Sequence, residues 1–131
     1  MVGLAYVFSR PNEVVGIRFA NTTIRVELAD NMSKQIKGLM FRDSLLDSTG
    51  MLFTFDKEDY SIWMINMRFS IDVVWFDSEG KVVDFIKNVQ PCSLYCPYHK
   101  PTEMASYILE VNSGFIENQN VGIGDHFQFV V

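Results

Sequence analysis

The chain is predicted to fold as an α+β domain, mainly β: a compact antiparallel β-barrel-like sheet with one α-helix packed against it. Three observations predict this. Aromatics are abundant, with 11 Phe, 5 Tyr and 2 Trp, and such side chains fit a pleated, half-buried surface. Short apolar runs recur between Asn, Asp, Ser and Gly clusters, which is the pattern of strands joined by turns. Only one stretch, 31–39, carries a helix start signal and a helix stop signal together.

The elements follow in order. Residues 4–8 read as a short strand and Arg10-Pro11-Asn12-Glu13 as a turn. Residues 14–19 form a weak strand. In 23–28, Ile24, Val26 and Leu28 alternate with Thr23, Arg25 and Glu27, a period of two with one wet face. Asn31 is placed to N-cap a helix over 32–39, with Gly38 at its end; Lys34 at the third helical position rules out a capping box. Ser48-Thr49-Gly50 turns into a strand over 51–55, and 56–59 is a polar turn. Residues 62–67 and 69–76 are apolar on both faces apart from Asn66, Ser70 and Asp72, so both read as strands covered on two sides. Asp77-Ser78-Glu79-Gly80 signals a hairpin into a strand over 81–89. Residues 90–102 carry both cysteines and three of the four prolines, which makes a long, constrained loop. A strand over 105–111, a turn at Asn112-Ser113-Gly114, a helical turn at 115–118, a turn at 122–125 and a last strand over 126–131 complete the chain. Hairpin connections favour antiparallel pairing. No internal repeat or low-complexity segment interrupts the sequence.

Size and composition bound the function. A chain of 131 residues is read as a single domain, 1–131, able to bury a core without help from a metal. Its 48% hydrophobic content and mean hydropathy of +0.08 exclude disorder as the main state. A net charge of −5 with scattered basic residues argues against nucleic acid as a partner. No apolar run approaches the length that spans a bilayer, and the first residues lack the basic start of a signal peptide. A cytoplasmic location is the default expectation.

The order of motifs resembles the domain-of-unknown-function family 192, a group of small prokaryotic proteins. The residues that carry the likeness are Gly38-Leu39-Met40, Arg42, Gly50 to Phe53, Trp63-Met64, Asn66, Asp72, Asp77, Gly80, Tyr107, Leu109-Glu110, Gly114 and Gly124-Asp125. They run in family-like order and spacing over about residues 24–131. Two motifs depart from the family pattern. Its FWMKNT stands here as Ile62-Trp63-Met64-Ile65-Asn66-Met67, without the Lys and Thr, and the Leu before the Asp is Ile71. The resemblance implies a compact β-barrel-like fold with a helix against it, and supplies no mechanism.

Five residues are candidates for a ligand site: Trp63, Asn66, Asp72, Arg42 and Glu110. Asp72 shares a strand face with Val74 and Phe76, where an ionised carboxylate needs partners. It is either a structural acceptor of backbone N–H groups or of Arg42, or a base or ligand anchor. Trp63 with the Asn66 amide has the chemistry to hold a sugar or a planar molecule. On an ideal strand the two point to opposite faces, so they share a pocket only if the chain bends. Glu110 is expected on the more polar face of its strand, beside Ile108 and Asn112. With Asp72 it would make a carboxylate pair of the hydrolase or isomerase kind.

Cys92 and Cys96 allow a local disulfide, two inert thiols, or a weak zinc site with His99 and a fourth ligand such as His126. No phosphate loop, dinucleotide fingerprint, zincin helix or nucleophile elbow is present, and no cofactor is expected. Three function classes therefore stand. The first is a non-catalytic binding or interaction module for a small, carbohydrate-like ligand or a protein, near Trp63, Asn66 and Asp72. The second is a hydrolase or isomerase using Asp72 with Glu110 or Arg42. The third is a structural accessory whose motif residues serve the fold alone. The sequence sets no oligomeric state.

Overall fold

A computed structural model describes residues 12–56 and 61–131. The strand expected over 4–8 and most of the turn expected at 56–59 lie outside them. Among the described residues, seven strands form one curled half-barrel sheet: β1 Val14–Phe19, β2 Thr22–Ala29, β3 Thr49–Thr54, β4 Ile71–Phe76, β5 Val82–Val89, β6 Tyr107–Asn112 and β7 Phe127–Phe129. Two short helices accompany them among the described residues, α1 Met32–Lys37 and α2 Phe115–Asn118. The spatial order is β5-β4-β6-β3-β2-β1-β7. The α+β, mainly β class read from the sequence holds.

All neighbouring pairs are antiparallel except β2 and β3, which run parallel from Arg25 opposite Thr49 to Ala29 opposite Phe53. This one pair departs from the antiparallel pairing that the hairpin signals favour. The connection between β2 and β3 contains α1 and is long enough to carry the chain back to the start of the sheet, which a tight hairpin cannot do. At one end the sheet edges meet. Lys81 bridges His126, the Phe127 amide donates to the Gly80 carbonyl at 2.9 Å, and the Val82 amide donates to the Asp125 carbonyl at 2.7 Å.

Both faces of the central strands are covered, which is why β4 is buried at every position. One core cluster draws residues from all seven strands, among them Ile17, Ile24, Leu52, Phe76, Val82, Leu109 and Phe127, with Ile116 of α2. It fills the inside of the curl. The second cluster lies on the outer face and joins Met51, Phe53, Val73, Trp75 and Ile108 to Leu39, Ile62, Met64 and Met67.

Residues 62–67 are not the strand expected of them. Asn66 sits at φ 60°, and the Met67 amide donates to the Met64 carbonyl at 3.2 Å, so the backbone turns instead of extending. Ile62, Met64 and Met67 are buried because this segment plugs the outer face. A plug and a covered strand leave the same apolar signature. One extended contact remains, at Ile62, whose amide donates to the His99 carbonyl at 2.9 Å while the His99 amide donates back at 2.7 Å.

Helix α1 is capped as expected: the Lys34 amide donates to the Asn31 carboxamide oxygen at 2.9 Å. Gly38 ends it at φ 48°, a backbone region open mainly to glycine. The helix buries none of its side chains. It is tied down by Gln35, whose amide donates to the carbonyls of Ala29 at 3.2 Å and Thr54 at 2.8 Å. Its apolar residues Met32 and Ile36 therefore stay largely exposed.

Candidate functional site

The exposed face of α1 looks onto a cavity of about 270 Å³ on the outer face of the sheet. Met32, Gln35 and Ile36 supply one side. Phe53 and Phe55 come from the end of β3, Ile62, Trp63 and Met67 from the plugging segment, and Tyr98 from the long loop. Trp63 and Tyr98 stack with ring centroids 5.2 Å apart and planes 7° from parallel. That wall exists because the reciprocal, antiparallel Ile62–His99 bridge sets the residue after Ile62 against the residue before His99. A disulfide between Cys92 and Cys96 staples the loop two residues before Tyr98. Phe53 and Phe55 form a second parallel pair, 6.3 Å apart.

Glu110 also lines this cavity. It is 5% exposed, and among the described residues no group hydrogen-bonds its carboxyl. Burial alone pushes its pKa up to about 8, because the ionised form loses water without gaining a partner. At neutral pH the carboxyl is mostly protonated. The expectation of a polar strand face is overturned. Ile108 and Glu110 lie opposite Phe53 and Met51 of β3, and opposite Trp75 and Val73 of β4, so the face is apolar and covered. Gly50 lets β6 approach this closely, since a Cβ there would stand 2.6 Å from the Glu110 carbonyl oxygen.

The other sequence candidates fall elsewhere. Asp72 faces the inside of the curl, opposite Val111, on the far side of the sheet from Glu110. Its carboxylate accepts from the Asn88 amide at 2.8 Å, the Gly114 amide at 3.2 Å and the Ile116 amide at 2.8 Å. It thus satisfies the start of α2 and the irregular end of β5, as a structural acceptor should. The carboxylate pair with Glu110 is not formed.

Arg42 pairs with Glu27 and not with Asp72; one guanidinium nitrogen lies 2.9 Å from a carboxylate oxygen. That guanidinium holds the Glu27 carboxyl below its ordinary pKa, against the opposing effect of partial burial. Asn66 is exposed and does not line the cavity with Trp63. Its carbonyl accepts from the Phe41 amide at 3.0 Å, and its side chain reaches Met40 Sδ at 3.9 Å. Trp63 and Asn66 are thus separated even though the chain bends.

The zinc reading fails as well. Both thiols are consumed in the disulfide, His126 lies at the far end beside Lys81, and no metal-holding cluster exists among the described residues. Asp77 and Asp125 serve turns: Asp77 accepts from the amides of Glu79 and Lys81, and Asp125 from that of Gly122. Sequence reasoning missed Met32, Ile36, Phe53, Phe55 and Tyr98 as cavity residues. The available signal was the apolar i, i+4 pair Met32 and Ile36 on a helix too short to bury them.

The model of domain-of-unknown-function family 192, described as "Uncharacterized ACR", matches residues 15–129. A UPF0127 protein of Thermococcus sibiricus is 35% identical over 112 residues, covering 83% of this chain and 68% of its own length. One from Pyrococcus furiosus is 34% identical over 106 residues, covering 81% and 87%. Some relatives are longer: the chain spans 63% of a UPF0127 protein of Thermococcus gammatolerans. Among solved structures, a candidate transcription regulator from Sinorhizobium meliloti superposes with a TM-score of 0.82 at 27% identity, covering 92% of this chain and 97% of that one. A protein of unknown function from Novosphingobium aromaticivorans gives 0.79 at 23% identity and shares the fold.

Proposed function

As this chain belongs to domain-of-unknown-function family 192, in which no catalytic function is established, we propose its function from the cavity: a binding module for a small, mainly apolar ligand. The observation that carries this reading is the open apolar cavity under α1, whose walls include the exposed side chains of Met32, Ile36, Trp63 and Tyr98. Concave, largely apolar sites with few polar groups are the usual form of small-molecule sites. Apolar residues left exposed on a helix fixed by a polar side chain have no role in holding that helix.

The chemistry of the walls argues against a sugar. A sugar needs several directed hydrogen bonds around an aromatic face, whereas Gln35 is already engaged and Asn66 is directed elsewhere. A hydrolase or isomerase using Asp72 with Glu110 lacks its geometry, since the two stand on opposite faces. The regulator description of the Sinorhizobium meliloti protein is not carried over as nucleic-acid binding, because a net charge of −5 gives phosphates no matching surface.

No helix among the described residues is long and apolar enough to cross a membrane. We further infer a cytoplasmic location. The Cys92–Cys96 disulfide is the opposing feature, since reducing compartments disfavour such bonds outside hyperthermophiles.

The test uses N-phenylnaphthylamine, a neutral apolar dye that brightens on leaving water. One dye per chain is expected, with affinity falling about tenfold in both Trp63→Ala and Ile36→Glu, the loss of one well-placed contact. Ile36 is 61% exposed, so its replacement spares the fold. Dye affinity unchanged in both variants would sink the reading.

A further inference from the structure

We propose that the cavity, read as a ligand site as above, is built for an organic cation: an alkylammonium head against the Glu110 carboxyl and the aromatic wall, with an apolar body along α1. The inference deepens the binding-module reading and rests on it.

Three observations converge. Glu110 is more than nine-tenths buried, faces the cavity and lacks a protein partner among the described residues. A carboxyl in that position gains a partner when a ligand with a complementary group enters the cavity. The wall beside it carries two stacked aromatic pairs, Trp63 with Tyr98 and Phe53 with Phe55. The faces of such rings attract positive charge, most strongly when water is excluded. Lys37 also lines the cavity but makes no ion pair with Glu110 in the structure, so the acid is available.

The three possible ligand heads separate cleanly. Once the acid is ionised, an anion meets a carboxylate and is repelled. A neutral alcohol regains a hydrogen bond but gains nothing from the ring faces beyond contact. A cation gains an ion pair at low dielectric and the attraction of the rings together. An unbranched apolar body then occupies the groove along Met32 and Ile36.

The experiment measures displacement of the same neutral dye by hexyltrimethylammonium and by hexanol at about pH 9, on the full chain and on Glu110→Gln. The cation is expected to bind at least about tenfold more tightly than the alcohol, and that ratio is expected to fall to about one in Glu110→Gln. A thermal melt of the variant at the same pH controls for folding. Hexanol binding as tightly as the cation, or a ratio that survives in Glu110→Gln, would overturn the inference and leave the binding module standing. Displacement by neither probe would overturn the inference as well, while the binding module stands or falls on the dye affinities of Trp63→Ala and Ile36→Glu.

Discussion

Glu110 concentrates the conflict between folding and binding in one residue. Its pKa is raised from 4.5 to about 8, so the folded state holds a proton that the unfolded state has released over that range. Below the unfolded value both states are protonated and the acid costs little. As pH rises from there to about 8 the unfolded state is increasingly favoured, and above 8 the full cost is present. Glu110→Gln should therefore raise stability at about pH 9 by on the order of 2 kcal/mol, and change it little near pH 4. Urea unfolding at the two pH values reads this directly. A variant less stable than the parent at the higher pH would mean the carboxylate has a stabilising partner.

Asp72 is the opposite case, a buried carboxylate with three backbone donors. Asp72→Asn should cost about 2–3 kcal/mol through weakened and lost charge-assisted bonds, with dye affinity unaltered. Loss of dye binding at full stability would contradict the structural role. The two acids look alike in the sequence, each flanked by apolar residues. Periodicity placed Asp72 on the face of Val74 and Phe76. It misjudged Glu110, because Asn112, taken as the sign of a wet face, instead donates to the Leu45 carbonyl at 2.7 Å.

At the scale of elements, α1 is held by hydrogen bonds and not by a core face. Gln35→Ala should cost about 1–2 kcal/mol, whereas Ile36→Ala should lie within about 0.5 kcal/mol of the parent. Equal losses would show that Ile36 packs after all. The strands were legible because alternation and turn chemistry are local. The plugging segment was not, since burial on both faces says nothing about backbone direction. Nor was the Trp63–Tyr98 wall, which depends on the Ile62–His99 bridge between segments 37 residues apart in sequence (from 62 to 99). The disulfide that staples that loop closes a short ring. Replacing Cys92 and Cys96 by Ser should cost about 2 kcal/mol on a chain-entropy view, with faster hydrogen exchange at the His99 and Ile62 amides as the local readout.

The whole molecule depends on bringing its ends together. Strand β7 pairs with β1, and Phe127 sets its ring edge-to-face with Phe76 at 4.7 Å and Tyr107 at 5.2 Å. Phe127→Ala should cost about 3–5 kcal/mol by leaving a void in the inner core, read as a lower urea midpoint with an unchanged slope. A loss under 1 kcal/mol would mean that β7 is an ornament on a sheet stable without it. This closure follows from sequence only in outline. Turn signals around Gly80 and Gly124 are local, but their meeting is a property of the curl, which no window of residues contains.

The meeting of Lys81 with His126 has a consequence for life in a crowded solution. A sheet ends in strands whose free N–H and C=O groups invite another chain to add on, the first step toward fibres. Here the outermost strands meet at one end and occupy part of each other's hydrogen-bonding capacity, and β7 offers only three residues. A protein that keeps a greasy cavity open for a ligand has thus closed off part of its other route to sticking.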